Sequence, residues 1–112
     1  MSGLRPQEDP SWQGIPKKGW TLLEFRAQWC DPCRKQSQIL QELAKEFELV
    51  QFCRADIEAY SELAIEMGVQ SVPTLVLCKQ GREVQRFIGL QDKETLRKSL
   101  KNQLGSSESG SA

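Results

Sequence analysis

The apolar residues of this chain change their rhythm several times, and each change marks an element. Trp20 to Ala27 (Trp-Thr-Leu-Leu-Glu-Phe-Arg-Ala) is a short, almost continuously apolar run interrupted at Glu24, the pattern of a strand buried on both faces. From Cys33 the spacing lengthens to Ile39, Leu40, Leu43, Ala44 and Phe47, which predicts a helix. Leu49 to Arg54 reads as a second strand. Tyr60, Leu63, Ala64 and Met67 mark a short helix, with Gly68 as its stop. Thr74 to Cys78 and Glu83 to Ile88 are strands joined by the Gly-bearing turn Lys79-Gln80-Gly81-Arg82. Asp92 is placed to cap a last helix with apolar side Leu96, Leu100 and Leu104. The order β-α-β-α-β-β-α implies an α/β fold. Its first two strands run parallel and a hairpin adds antiparallel ones, so the central sheet is mixed and flanked by helices.

The ends of the chain differ from this middle. Residues 1–18 hold Gly3, Pro6, Pro10, Gly14 and Pro16 with little apolar periodicity, and read as irregular, with Trp12 packing back on the domain. Residues 19–104 form the predicted domain. Residues 105–112 are Gly/Ser-rich and read as a disordered tail. Met1 to Gly14 lacks a signal-peptide apolar run, and Val72 to Cys78 is too short to span a membrane. The expectation is a soluble cytoplasmic protein with no membrane partner.

Composition narrows the chemistry. In 112 residues, 15 Lys+Arg balance 15 Asp+Glu, which disfavours nucleic acid as partner. The length suits one domain, expected to be monomeric. There is no His, so no His-based triad, imidazole base or His-bearing metal site can be built. Four Cys remain. Cys30-Asp31-Pro32-Cys33 lies between the first strand and the first long helix. There the unpaired N–H groups and the helix dipole favour a Cys30 thiolate. Cys33, one turn on, can attack a mixed disulfide formed at Cys30, and Pro32 fits the first turn because its missing N–H costs little there. A zinc site would need two more ligands, whereas Cys53 and Cys78 stand alone on central strands as small buried hydrophobes. A purely structural bridge over so short a loop would constrain the unfolded chain little. A redox pair is the reading that uses both sulfurs, with no metal and no organic cofactor.

The chain resembles the thioredoxin family through Glu24-Phe25-Arg26-Ala27-Gln28-Trp29-Cys30-Asp31-Pro32-Cys33, then Val69-Gln70-Ser71-Val72-Pro73-Thr74-Leu75, then Gly81 and Gly89, over about residues 20 to 104. The resemblance implies a thioredoxin-like three-layer fold and a cis Val72–Pro73 bond beside the cysteines. It also implies a substrate groove shaped by Trp29, Asp31, Pro32, Val72, Pro73 and Gly89. The implied activity is protein dithiol–disulfide exchange, chiefly reduction. Disulfide-bearing proteins would be the substrates and a separate reductase the electron donor. Cys30 would attack, Cys33 resolve and Glu24 assist proton transfer. Two alternatives stand beside this: a binding module or chaperone-like adaptor with little turnover, and a disulfide oxidase or isomerase.

Several positions depart from the family's pattern. Glu24 replaces a buried Asp, and could instead pair with Arg54, which stands where a Lys is frequent. Asp31 replaces Gly and sets a negative charge near Cys30, opposed by Arg34 and Lys35. Arg26 replaces a second Trp, which alters the surface by the cysteines. Gln38 replaces a helix-kinking Pro, and residues 1–18 offer no clear counterpart of the family's first strand and helix.

Overall fold

The computed structural model describes residues 15–111. Its elements are β1 (Trp20–Arg26), α1 (Asp31–Ala44), β2 (Val50–Asp56), α2 (Ser61–Glu66), β3 (Thr74–Lys79), β4 (Arg82–Ile88) and α3 (Lys93–Ser111). The described strands form one four-stranded sheet in the order β2-β1-β3-β4. β1 pairs in parallel with β2 and antiparallel with β3, and β3 pairs antiparallel with β4. β1 is therefore internal, and Thr21 to Phe25 are all buried, which explains its unbroken apolar run.

Alternation along the strands divides the core into two layers. Leu22, Phe52, Leu75 and Leu77 pack with Leu40 and Leu43 of α1 and Leu96 and Leu100 of α3. Leu23, Phe25, Cys53, Ala55, Val76 and Cys78 face the other way and pack with Ala64 of α2. β4 is exposed over Arg82, Glu83 and Val84, and the charges there blunt a sheet edge open to further pairing.

Local chemistry sets the element ends. Gln80 and Gly81 take φ of 55° and 80°, so two consecutive left-handed residues turn β3 into β4. Gly68, at φ 67°, ends α2, and the Val69 N–H returns to the Ala64 carbonyl at 2.9 Å. Asp92 caps α3, its Oδ1 accepting the Thr95 N–H at 2.7 Å.

Two expectations need correction and one lies out of view. α1 begins at Asp31, in keeping with Pro32 in its first turn, but β2 runs from Val50 to Asp56 rather than from Leu49 to Arg54. α3 continues to Ser111, through most of the segment 105–112 that composition reads as a tail. Composition registers the weak helix preference of Gly and Ser. A helix already anchored by Leu96, Leu100 and Leu104 gains a backbone hydrogen bond with each added residue. The expectations for residues 1–14, Trp12 included, fall outside the described residues.

Leu100 is fully buried between α3 and the sheet. Replacing it by Ala should lower the unfolding free energy by about 3 kcal/mol in urea titration. A loss below about 1 kcal/mol would show that α3 does not close this layer.

Candidate active site

β1 ends on the same side of the sheet at which α1 begins, and the link between them carries the cysteines. Cys30 is the N-cap of α1, with its sulfur accepting the Cys33 N–H at 3.1 Å. A capping position normally goes to an oxygen acceptor, and a thiolate is favoured there for the same electrostatic reason. Cys30 and Cys33 form a disulfide with a Cα–Cα distance of 5.3 Å. Cys30 is 4% exposed and Cys33 0%, so Cys30 is the sulfur nearer to solvent. The pair packs with Ala27, Ile57 and Val72. Pro32 is exposed in the first turn of α1, where no N–H is needed.

Asp31 points away into solvent and pairs with Arg34 at 2.5 Å. Arg34 also donates to the Gln28 carbonyl at 3.2 Å. The negative charge set beside Cys30 is thus matched by a bound guanidinium, and both side chains are open to screening by water and salt.

The opposite wall comes from the segment before β3. The Val72–Pro73 peptide is cis and Pro73 is buried. The Pro73 carbonyl accepts the Gly89 N–H at 2.9 Å, which ties the end of β4 to this wall. Gly89 has φ 89°, a backbone region that side chains disfavour. Between Trp29 and this wall runs an open groove of about 370 Å³, lined also by Ile57, Ser61, Ile65 and Val72. Trp29 is 67% exposed at its rim. Ile88 and Leu90, on either side of Gly89, are exposed as well. A large exposed apolar surface of this kind is the usual mark of a contact site.

Glu24 is fully buried on the internal strand β1. The Ser37 hydroxyl sits 2.8 Å and 3.0 Å from its two oxygens. Ser37, not Arg54, is thus its hydrogen-bond partner. Arg54 is its Cα partner across β2 and acts through charge, as Arg26 does. Burial pushes the Glu24 carboxyl up to about 7, with Ser37, Arg26 and Arg54 pulling the other way. A carboxyl poised there can exchange a proton near neutral pH. The remaining cysteines are buried, and burial raises Cys78 and pushes Cys53 to about 12, which disfavours their thiolates. No cluster of His, Cys, Asp and Glu among the described residues could hold a metal ion.

Structure therefore gathers Cys30, Cys33, Trp29, Pro32, Val72, Pro73 and Gly89 at one end of the sheet, with Asp31 at the solvent edge, and joins Glu24 to α1 through Ser37, one turn beyond Cys33. Sequence reasoning missed Ile57, Ser37 and Gln36. Gln36 is fully buried, donates to the Gln91 carbonyl at 3.0 Å and accepts the Gln91 N–H at 2.7 Å, tying α1 to the loop after β4. The available signal was two polar residues, Gln36 and Ser37, inside the buried stripe Cys33, Leu40, Leu43.

A helix-capping disulfide beside an open apolar groove defines a thiol–disulfide exchange protein on an α/β scaffold. The sequence pattern of the Thioredoxin family matches residues 8–102. The chain is 44% identical over 78 residues to a thioredoxin of Chlamydia muridarum, covering 70% of this chain and 76% of that one. It is 38% identical over 77 residues to a Thioredoxin H-type of Fagopyrum esculentum, covering 69% and 66%. Among solved structures, Fasciola hepatica thioredoxin superposes with a TM-score of 0.71 at 37% identity, covering 77% of this chain and 83% of that chain. The chain belongs to the thioredoxin family and is a dithiol–disulfide oxidoreductase.

A buried carboxyl with a raised pKa leaves a stability signature. Below about 4.5 it is protonated in both folded and unfolded chains and contributes nothing. As pH rises from about 4.5 to about 7 the unfolded chain ionises first, so the folded state loses up to about 3 kcal/mol relative to acid. Urea unfolding of the oxidised protein at pH 5 and pH 7.5 should show this fall in the wild type and a much smaller one in E24Q. Equal falls would mean that Glu24 is not held in this state.

Proposed function

We propose that this chain works as a reductant of protein disulfides, with Cys30 as nucleophile, Cys33 as resolving thiol and Glu24 as proton acceptor. The observation that supports it most is Cys30 itself: a capping sulfur at the N-terminus of α1, bonded to Cys33 and flanked by the groove under Trp29. In the reduced protein the Cys30 thiolate attacks one sulfur of a substrate disulfide. A Cys30–substrate bond forms, the substrate S–S bond breaks, and the first substrate thiolate leaves and takes a proton from water. Cys33 then gives its proton to the Glu24 carboxylate, directly or through water. Its thiolate attacks Cys30, the Cys30–Cys33 bond forms as the Cys30–substrate bond breaks, and the second substrate sulfur departs as a thiolate that takes up a proton, while Glu24 later returns its own to water. Two electrons have passed from the chain to the substrate, and a separate reductase returns them.

Trp29, Ile57 and Val72 supply apolar contact for an extended substrate segment, while Pro73 and Gly89 hold the far wall. Asp31 and Pro32 form the rim against which a partner comes to rest. Residues 19–104 are the working domain in this reading. The reaction needs no metal or organic cofactor beyond the Cys30–Cys33 disulfide. The protein acts as a monomer in the cytoplasm. No helix among the described residues is long and apolar enough to cross a membrane.

Equilibration with glutathione should give a Cys30–Cys33 potential of about −270 mV, as for thioredoxins in general, and C30S should abolish reduction of a protein disulfide. A potential above about −180 mV would overturn the reductant reading in favour of an oxidase or isomerase. Full biological function in C30S would make the chain a binding module instead.

A further inference from the structure

Ser37 is a polar residue where the packing pattern calls for an apolar one. It lies on α1 one turn beyond Cys33, so the two share a helix face, and both are buried. Serine inside a helix gains little, and its hydroxyl usually turns to solvent or to the carbonyl one turn back. Here it reaches across to the sheet and sits nearly equidistant from the two Glu24 oxygens, at 2.8 Å and 3.0 Å. One hydroxyl hydrogen shared between two oxygens faces the open edge of the carboxylate.

The other surroundings of Glu24 do not fix its orientation in this way. Across β3 its partner is the apolar Leu75. The charges that it feels are Arg26 on its own strand and Arg54 on β2. The Nε atoms of both arginines are buried without hydrogen-bond partners. A glutamate has one more torsion than an aspartate, so a group at the far end is needed to hold its carboxylate in one place.

We propose that Ser37 is the positioning residue for proton transfer in this chain: its hydroxyl holds the Glu24 carboxylate toward the Cys33 turn of α1 and stabilises the ionised form that receives the Cys33 proton. This rests on Glu24 being the proton acceptor. The balance of the step is simple. Cys33 S–H loses its proton, Glu24 gains it, and the Ser37 hydroxyl can then turn its lone pair to the new Glu24 O–H, keeping its own hydrogen throughout. Removing the hydroxyl leaves Glu24 equally buried but without that donor, so the carboxylate gains its proton at higher pH.

The test uses the full reduced chain with a disulfide-bearing protein such as insulin and reads the resolving step, the decay of the Cys30–substrate mixed disulfide, in single turnover across pH 5 to 9. The Glu24 carboxyl carbon is titrated in parallel by NMR. The wild-type rate should rise through a midpoint near the Glu24 value of about 7. S37A removes one oxygen and favours helix, so it should fold. Its midpoint should move up by about one pH unit in both readouts, and its rate at pH 7 should fall about five-fold, as the ionised fraction drops. S37T, which restores a hydroxyl, should return both toward wild type. E24Q should lose the transition. If E24Q loses it but S37A leaves the midpoint in place, or slows the reaction equally at every pH, the Ser37 proposal is wrong and the Glu24 reading stands. If E24Q keeps the transition, the Glu24 reading falls, and the Ser37 proposal with it.

Discussion

A sulfur capping a helix is the interaction on which the rest of this molecule depends. The Cys33 N–H reaches Cys30 Sγ only because β1 ends where α1 begins. That junction in turn holds its place because β1 is internal, paired on both sides and buried on both faces. Helix N-terminus, Cys30 and Cys33 are thus fixed by the most protected strand of the sheet. The groove beside them is built from lighter parts: a tryptophan at its rim, a short helix, and a segment tied to β4 through Pro73 and Gly89. Rigidity sits behind the chemistry, and adaptable surface sits in front of it.

Between β1 and α1, the same burial that stabilises the sheet creates a titratable site. A carboxylate at Glu24 is expensive to keep ionised there, and Ser37, Arg26 and Arg54 offset only part of that cost. The outcome is a carboxyl balanced between its two forms near neutral pH. Such balance is of little use to the stability of a fold and well suited to a group that must accept a proton and return it.

The architecture was largely legible because its signals are local. The run Leu22 to Phe25, the helical spacing through Leu40 and Leu43, and the Gly-bearing hairpin turn each record burial or backbone geometry directly in residue type. The pair Cys30 and Cys33 was legible for the same reason: both sulfurs lie within one turn of sequence. Contacts between distant elements were harder to read. Reading α1 by its apolar residues passed over Gln36 and Ser37, since nothing local says that a polar side chain on that face meets Gln91 or Glu24. Ile57 carried no signal of its own in the sequence; it packs beside the cysteines just past the end of β2. The tail misled through composition, because Gly and Ser are weak helix formers but can still extend a helix nucleated elsewhere.

The Gln36 amide grips the loop after β4 through main-chain atoms alone, the carbonyl and N–H of Gln91. Such a clasp is indifferent to the neighbouring side chains that face outward. Ile88 and Leu90 stand exposed on either side of Gly89, so each can be exchanged for a charge, an aromatic ring or a small residue while the loop's path stays anchored. Position 36 pins the scaffold, and positions 88 and 90 are free to diversify. A lineage, or a protein engineer, could retune which partners this surface accepts there without touching the sulfurs.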